Sequence, residues 1–310
     1  MTLSGGALMA TSALPSAAKD GPALFAKRGN FERLAIRYLS LSVGATKPFS
    51  ILHISDTHLT AARPDEQVSI CGAAEERTAT FGGMQEAALA DSLAWAKENV
   101  DYVLHTGDVV DWQSEANFEL VRRHFGPQVF GCMGNHEFYT YLPEEVHTWK
   151  EPFKERSWPL LGRQFPFDPR FSAKTVNGVN FVTLDDAFGT VQSDQVEKFR
   201  GEVKKGLPIV LCLHVPFFTP NIWRGTNRYW MQRGKRFVST ELMKAEGDYE
   251  RQQGDPVTAD FIACLKREPL LKAILAGHLH FSIEDRFSAS AVQSVVGGNF
   301  MFQGVEVLFA

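Results

Sequence analysis

The sequence predicts an α/β protein in which two stacked β-sheets carry helices on their outer sides. Three observations lead there. Apolar strand-like runs alternate with stretches of helical spacing as far as Met133. After that the strands crowd together, and one pair meets at Asn177-Gly178, a strong two-residue hairpin signal. Several of the most apolar runs also end abruptly in His, Asp or Asn.

Between Glu32 and Val43, Leu34, Ile36, Tyr38 and Leu41 largely alternate with other residues, which predicts an edge or half-buried strand. FSILHIS, 49–55, is a more continuous apolar run and reads as a buried strand. Ala87, Ala88, Leu89, Leu93, Trp95 and Ala96 give helical spacing over 84–97. Strand 101–106, helix 114–125 and strand 128–133 continue the alternation, so the first sheet should be mainly parallel. Two short strands over 171–185, a helix near 193–204, strand 208–213, helix 256–268 and strand 270–276 follow. Alternation in AVQSVV and GVEVLF predicts a closing β-meander. No repeat or low-complexity linker divides the chain, so residues 29–310 read as one domain. Residues 216–254 stand apart. Pro216, Pro220, Trp223, Arg224, Arg228, Tyr229 and Trp230 occur there with little periodicity, and the segment is expected to be a cap or substrate loop.

A hydrophobic fraction of 44%, a charged fraction of 22% and a net charge of −4 over 310 residues suit a soluble globular protein with a sizeable core. No Lys/Arg-rich block suggests a nucleic-acid footprint, and no apolar run approaches the roughly 18 residues of a membrane span. Cys71, Cys132, Cys212 and Cys264 are scattered and form no CxxC pair, which argues against a zinc-thiolate site. Residues 2–18 are rich in Gly, Ala and Ser and have the apolar and small-residue character of an export signal without its basic start. They resemble the latter part of a twin-arginine signal. Residues 1–28 are therefore expected to be either a disordered tail or the remnant of such a signal, and the protein either exported or cytoplasmic.

Five strand ends carry the chemistry. ILHISDTH supplies Asp56 and His58, YVLHTGDVVD supplies Asp108 and Asp111, and VFGCMGNHE supplies Asn135, His136 and Glu137. IVLCLH ends in His214 and AILAGHLH in His278 and His280. Ligand sites in open α/β sheets form outside the carboxyl ends of the strands. His, Asp and Asn without thiolates make nitrogen/oxygen sites suited to divalent Mn, Fe, Zn or Ni. Gly107, Gly134 and Gly277 precede three of the clusters and let the backbone turn sharply. Counting one carboxylate as a bridge, the donors suffice for two metals.

At this point the sequence resembles the calcineurin-like metallophosphoesterase family. The matching motifs are D-T-H (56–58), G-D-V-V-D (107–111), G-N-H-E (134–137), His214 and G-H-L-H (277–280), in the family's order. The resemblance implies a four-layer α/β/β/α sandwich of two mixed sheets flanked by helices. It implies that Asp56, His58 and His280 hold one metal, that Asn135, His214 and His278 hold the other, and that Asp108 bridges them. It also implies that His136 stands beside the leaving group, that Asp111 orients it, and that Glu137 supports the turn. A hydroxide between two metals roughly 3.5–4 Å apart would attack phosphorus.

The remaining strand histidines His53 and His105 are expected to be packed or hydrogen-bonded groups, and Asp185 and Asp186 to serve a turn or a supporting role. Arg224 and Arg228 are candidate substrate contacts. The first two motifs lack the G-D-x-H-G and Arg-Gly continuations of the protein Ser/Thr phosphatases. Position 111 is Asp where purple acid phosphatases have a metal-bound Tyr. The S-D-T-H start looks more like phosphodiesterase-type members. Hydrolysis of a phosphodiester in preference to a monoester is therefore expected, on a small-molecule or polymer substrate. The alternative is a protein of this fold that binds or scaffolds without chemistry.

Overall fold

The computed structural model describes residues 32–140, 151–234 and 241–310. The expected tail or signal remnant over 1–28 lies outside the described residues. Sheet one takes β1 (Ala35–Leu41), β2 (Phe49–Ile54), β3 (Tyr102–Thr106), β4 (Val129–Cys132) and β11 (Gln303–Phe309), in the order β1-β11-β2-β3-β4. Sheet two takes β5 (Phe171–Val176), β6 (Val179–Leu184), β7 (Ile209–Cys212), β8 (Leu271–Ala276), β9 (Ile283–Arg286) and β10 (Val292–Val295), in the order β5-β6-β7-β8-β10-β9. β2, β3 and β4 run parallel in sheet one, as β6, β7 and β8 do in sheet two. Asn177 and Gly178 both have positive φ, 45° and 81°, which is what the tight β5–β6 hairpin requires.

Strand alternation builds the layers. Ile51, Leu104, Phe130, Phe181, Val210, Cys212 and Leu275 point into one core between the sheets, while Leu52, Ile54, Val103 and Val129 point outward from sheet one. Those outward residues are covered by α2 (Gln85–Asn99), α3 (Glu115–His124) and α4 (Glu151–Gln164). The outer face of sheet two is covered by α5 (Ser193–Val203), α6 (Pro220–Met231), α7 (Met243–Gly254) and α8 (Pro256–Leu265). The architecture is thus the expected four-layer sandwich. Among the described residues no helix is long and apolar enough to cross a membrane.

Two expectations are corrected. AVQSVV and GVEVLF do not close a meander, because β10 lies in sheet two while β11 crosses to sheet one. There β11 inserts between β1, to which it is parallel, and β2, to which it is antiparallel. Residues 216–254 are also not an irregular loop: α6 and α7 occupy most of the segment, and 235–240 lie outside the described residues. Thr219 caps α6 by accepting from Ile222 N at 3.2 Å, with Pro220 in the first turn, so the proline starts a helix here. α1 (Val68–Thr80) has no counterpart in the sequence pattern, since it buries only Ile70 and Ala74.

Phe181 is fully buried and meets Phe130 and Phe309 edge-on at 5.4 and 5.1 Å between centroids, joining both sheets. Phe181→Ala is expected to lower unfolding stability by about 3–5 kcal/mol. Denaturant midpoints at unchanged slope would measure it, and a loss below about 1 kcal/mol would show that the inter-sheet core collapses around the gap.

Candidate metal centre

The loops leaving β2 and β3 stay zipped beyond the sheet. Asp56 N, His58 N and Leu59 N donate to the carbonyls of Gly107, Asp108 and Val109 at 2.9, 2.9 and 2.8 Å. This fixes the two loops against each other just where their donors appear. The loop from β4 is tied in by Glu137, whose Oε2 accepts from Asp108 N and Gly134 N and whose Oε1 accepts from Val109 N and Val110 N. Burial and the neighbouring Asp108 push the Glu137 carboxyl up to about 7, against the pull of these backbone N–H groups. The loop after β8 is held by Gly277 N on His214 O, and by His278 N on both oxygens of Asp56. A Cβ on Gly134 would collide with the Asp108 carboxylate, and one on Gly277 with Ser55 Oγ, so both positions need glycine.

The backbone here is strained. Among the described residues seven non-glycines have positive φ, and five of them are Asp56 (54°), His58 (51°), Asp108 (54°), His278 (70°) and His280 (58°). Each such residue costs about 1–3 kcal/mol and persists only where its surroundings hold it. The strain aims five side chains into one small volume.

The structure brings together Asp56, His58, Asp108, Asn135, His214, His278 and His280. His58 Nε2 lies 3.2 Å from His280 Nε2, which is 3.4 Å from Asp56 Oδ1. His214 Nε2 lies 3.2 Å from His278 Nδ1 and 3.3 Å from Asn135 Oδ1. One oxygen, Asp108 Oδ2, stands between the two groups, 3.7 Å from His58 Nε2 and 3.3 Å from His214 Nε2. Donors about 2.1 Å from a common ion lie about 3.0–3.5 Å from one another, so the spacing and the nitrogen/oxygen donor chemistry fit two divalent cations. Asp56, His58, Asp108 and His280 form one group able to hold an ion, and Asp108, His214 and His278 another.

The third histidine–carboxylate group, His58, Asp111 and His136, is better explained by hydrogen bonds than by an ion. Asp111 Oδ1 faces His58 Nδ1 at 2.8 Å and His136 Nδ1 at 2.9 Å. Arg77 grips the same carboxylate with two bonds of 2.6 and 2.9 Å. His136 is slightly exposed, stacks on Tyr139 and stands edge-on to His58. His53 and His105 are buried but stay outside the cluster, bonded to Thr106 Oγ1 and Thr57 Oγ1 at 2.9 and 2.8 Å. Burial lowers both to about 3, so they are neutral. Asp186 Oδ1 accepts from His214 N and Val215 N, and Asp185 accepts from Lys154 and Trp158. Arg224 and Arg228 are exposed on α6. Arg224 donates to Asn221, which donates to Asp285, and neither arginine bonds to the cluster among the described residues.

Four contributors were missed in the sequence: Arg77 on α1, Asp248 on α7, and Phe81 and Phe300, which form an aromatic wall with Trp230 of the expected cap. Phe81 stacks on His58 at 4.2 Å, and Phe300 and Trp230 meet His280 edge-on at 5.3 and 6.4 Å. Arg77 and Asp248 lie on helices with weak apolar periodicity, and no motif marks them.

The family profile of the calcineurin-like phosphoesterases matches residues 49–282. The chain belongs to that family. As a calcineurin-like phosphoesterase it falls among enzymes that depend on a dinuclear metal centre, in general hydrolases of phosphoric esters. Among solved structures it is similar to a dimetal phosphatase from Danio rerio, with 14% identity, TM-score 0.47, and coverage of 82% of this chain and 88% of that one. It is also similar to a purple acid phosphatase from yellow lupin, with 11% identity, TM-score 0.46, and coverage of 82% of this chain and 44% of that one. A third similarity is to a 5′-nucleotidase from Candida albicans, with 10% identity, TM-score 0.39, and coverage of 86% of this chain and 47% of that one. No curated protein sequence matches the chain closely enough to count as a relative.

The electrostatics of this calcineurin-like phosphoesterase favour ligation at Asp56, Asp108 and His58 and oppose it at His214. Burial alone would raise Asp56 and Asp108, but the facing histidines outweigh it, bringing Asp56 to about 2 and Asp108 well below the usual carboxylate range. Burial lowers His58 to about 4. Burial also opposes a charge on His214, yet Asp108, Asp56 and the Thr106 carbonyl raise it to about 10. Without metal, His214 therefore keeps a proton at pH 7, and a cation taking its Nε2 must displace that proton. Apparent Mn²⁺ affinity should rise from pH 6 to pH 8, by about tenfold per pH unit for each proton displaced. Calorimetry in buffers of different ionisation enthalpy would register the released proton; pH-independent binding without release would contradict the charge state of His214.

Proposed function

We propose that this protein hydrolyses phosphodiesters in preference to phosphomonoesters, using two divalent ions from among Mn, Fe, Zn and Ni. The observation that carries the two-metal reading is Asp108 Oδ2, one carboxylate oxygen standing between the His58 and His214 donors. When bound, two such ions polarise phosphoryl oxygens and lower the pKa of water enough to supply a nucleophile near neutrality.

The chain's own residues supply the rest. Asp56, His58, Asp108, Asn135, His214, His278 and His280 hold the ions. His136 hands a proton to the departing oxygen. Burial works against its charge, but Asp108 and Asp111 raise its pKa above the ordinary value, which keeps the proton available. Asp111 takes the His136 Nδ1 hydrogen bond and so turns the opposite ring nitrogen outward. The guanidinium of Arg77 holds Asp111 in place through both carboxylate oxygens.

The diester preference is supported by the walls. Phe81, Phe300 and Trp230 line the His58–His280 side with apolar surface, which suits an esterified oxygen better than the second negative charge of a monoester. Arg224 and Arg228 lie on the helix whose Trp230 reaches His280, and they are assigned to the more distant part of the substrate.

Chelator-stripped protein is expected to be inactive toward bis(p-nitrophenyl) phosphate and to regain activity with Mn²⁺, turning over the diester faster than p-nitrophenyl phosphate. If the metal-loaded protein cleaves neither compound, the enzymatic reading fails. His136→Ala is expected to keep its metal content while kcat falls about 10²–10⁴-fold. Loss of the metals in that variant would make His136 a structural support and not the proton donor.

A further inference from the structure

α7 belongs to the segment between β7 and α8 that the sequence pattern left without regular structure. Its Asp248 is 3% exposed, and Oδ2 faces His278 Nε2 at 2.7 Å. The other oxygen accepts from Arg251, whose Nε donates to the carbonyl of Phe188 at 2.8 Å. The next residue, Tyr249, packs edge-on against Phe218 and Trp223 at 5.1 and 5.6 Å, so the helix is seated on α6 and on the chain leaving β7. At Gly189 the loop after β6 comes so near that a Cβ would lie 3.2 Å from Asp248 O. Asp248 is thus held by contacts on several sides, not by one flexible ion pair.

His278 divides its two ring nitrogens between different tasks. Nδ1 faces His214 Nε2 at 3.2 Å, inside the cluster, and Nε2 is taken by Asp248. A carboxylate on the far N–H fixes the tautomer that leaves the lone pair on Nδ1. It also fixes the ring orientation and makes the imidazole a stronger donor.

We propose that Asp248 is a positioning residue for the metal shared by Asn135, His214 and His278, and that docking of α7 and loading of that metal are coupled. The inference rests on the two-metal reading of the site. Linkage makes the effect reciprocal: the factor by which docked Asp248 raises metal affinity is the factor by which the metal stabilises docked α7.

The test uses full-length, chelator-stripped protein titrated with Mn²⁺. Wild type should bind two ions. In Asp248→Ala one site should weaken about 10–100-fold while the other is unchanged, and Asp248→Asn, which keeps an acceptor, should fall between. Hydrogen exchange read by mass spectrometry adds a measurement on the unaltered protein: Mn²⁺ should slow exchange over 243–254, and this slowing should vanish in Asp248→Ala. Two wild-type sites with unchanged affinities in Asp248→Ala would overturn the inference alone, as would equal weakening of both sites. Exchange over 243–254 that ignores Mn²⁺ would overturn the coupling. Fewer than two Mn²⁺ sites in wild type would overturn the two-metal reading itself, and this inference with it.

Discussion

Glu137 is fully buried, and its two oxygens accept four backbone N–H groups from Gly134 and from Asp108, Val109 and Val110. The loops after β3 and β4 both turn back at this point, and turning back leaves their amides without sheet partners. A buried, unpaired amide costs about as much as a lost hydrogen bond. One carboxylate removes four such deficits and fixes the two loops relative to each other. Asp108, Asn135 and His136 inherit their positions from it. Water could satisfy the same amides, but it would not hold Asp108 at a left-handed φ against its own steric preference.

A second carboxylate organises the His58 side of the cluster. Asp111 binds His58, His136 and Arg77 together, so two imidazoles and a cation from a distant helix share one anchor. Opposing charge gathered around Asp111 keeps it well below the usual carboxylate range although burial pushes the other way. The two His58 ring nitrogens thereby have separate duties, one toward Asp111 and one toward the cluster. His278 repeats the arrangement with Asp248.

The donors were legible in the sequence because each follows a strand whose apolar run ends at the donor, and a buried parallel strand needs no further signal. The order of the five motifs supplied the family. The backbone strain was barely legible: Asp and His are enriched at left-handed φ, but most of them in any chain do not adopt it, so residue type alone does not single out Asp56 or His280. Long-range pairing was equally hidden: β11 alternates as a strand should, but alternation does not say which strands it will separate. α7 escaped notice for a different reason. Its buried face is Ala245, Asp248, Tyr249 and Gln252, half of it polar, so hydrophobic spacing cannot reveal it. α6 carries its cap in plain view at Thr219-Pro220, since a proline in the first turn starts a helix as readily as an interior one breaks it.

The placement of β11 has a consequence for how the molecule is made. β1 and β2 do not touch in sheet one; residues 303–309 lie between them. Asn299, just ahead of that strand, donates its amide to Ser55 O and accepts from Thr57 Oγ1, closing the loop that presents Asp56 and His58. A chain emerging from the ribosome can pair β2 with β3 and β3 with β4 early, but β1 lacks its β11 partner until residues 303–309 have been synthesised. During that interval Ile51, Leu52 and their neighbours on β2 present an open strand edge, the kind of surface chaperones cover and aggregates exploit. The loop that presents Asp56 and His58 is therefore closed only after Asn299 and β11 have been made, about 240 residues behind it in synthesis.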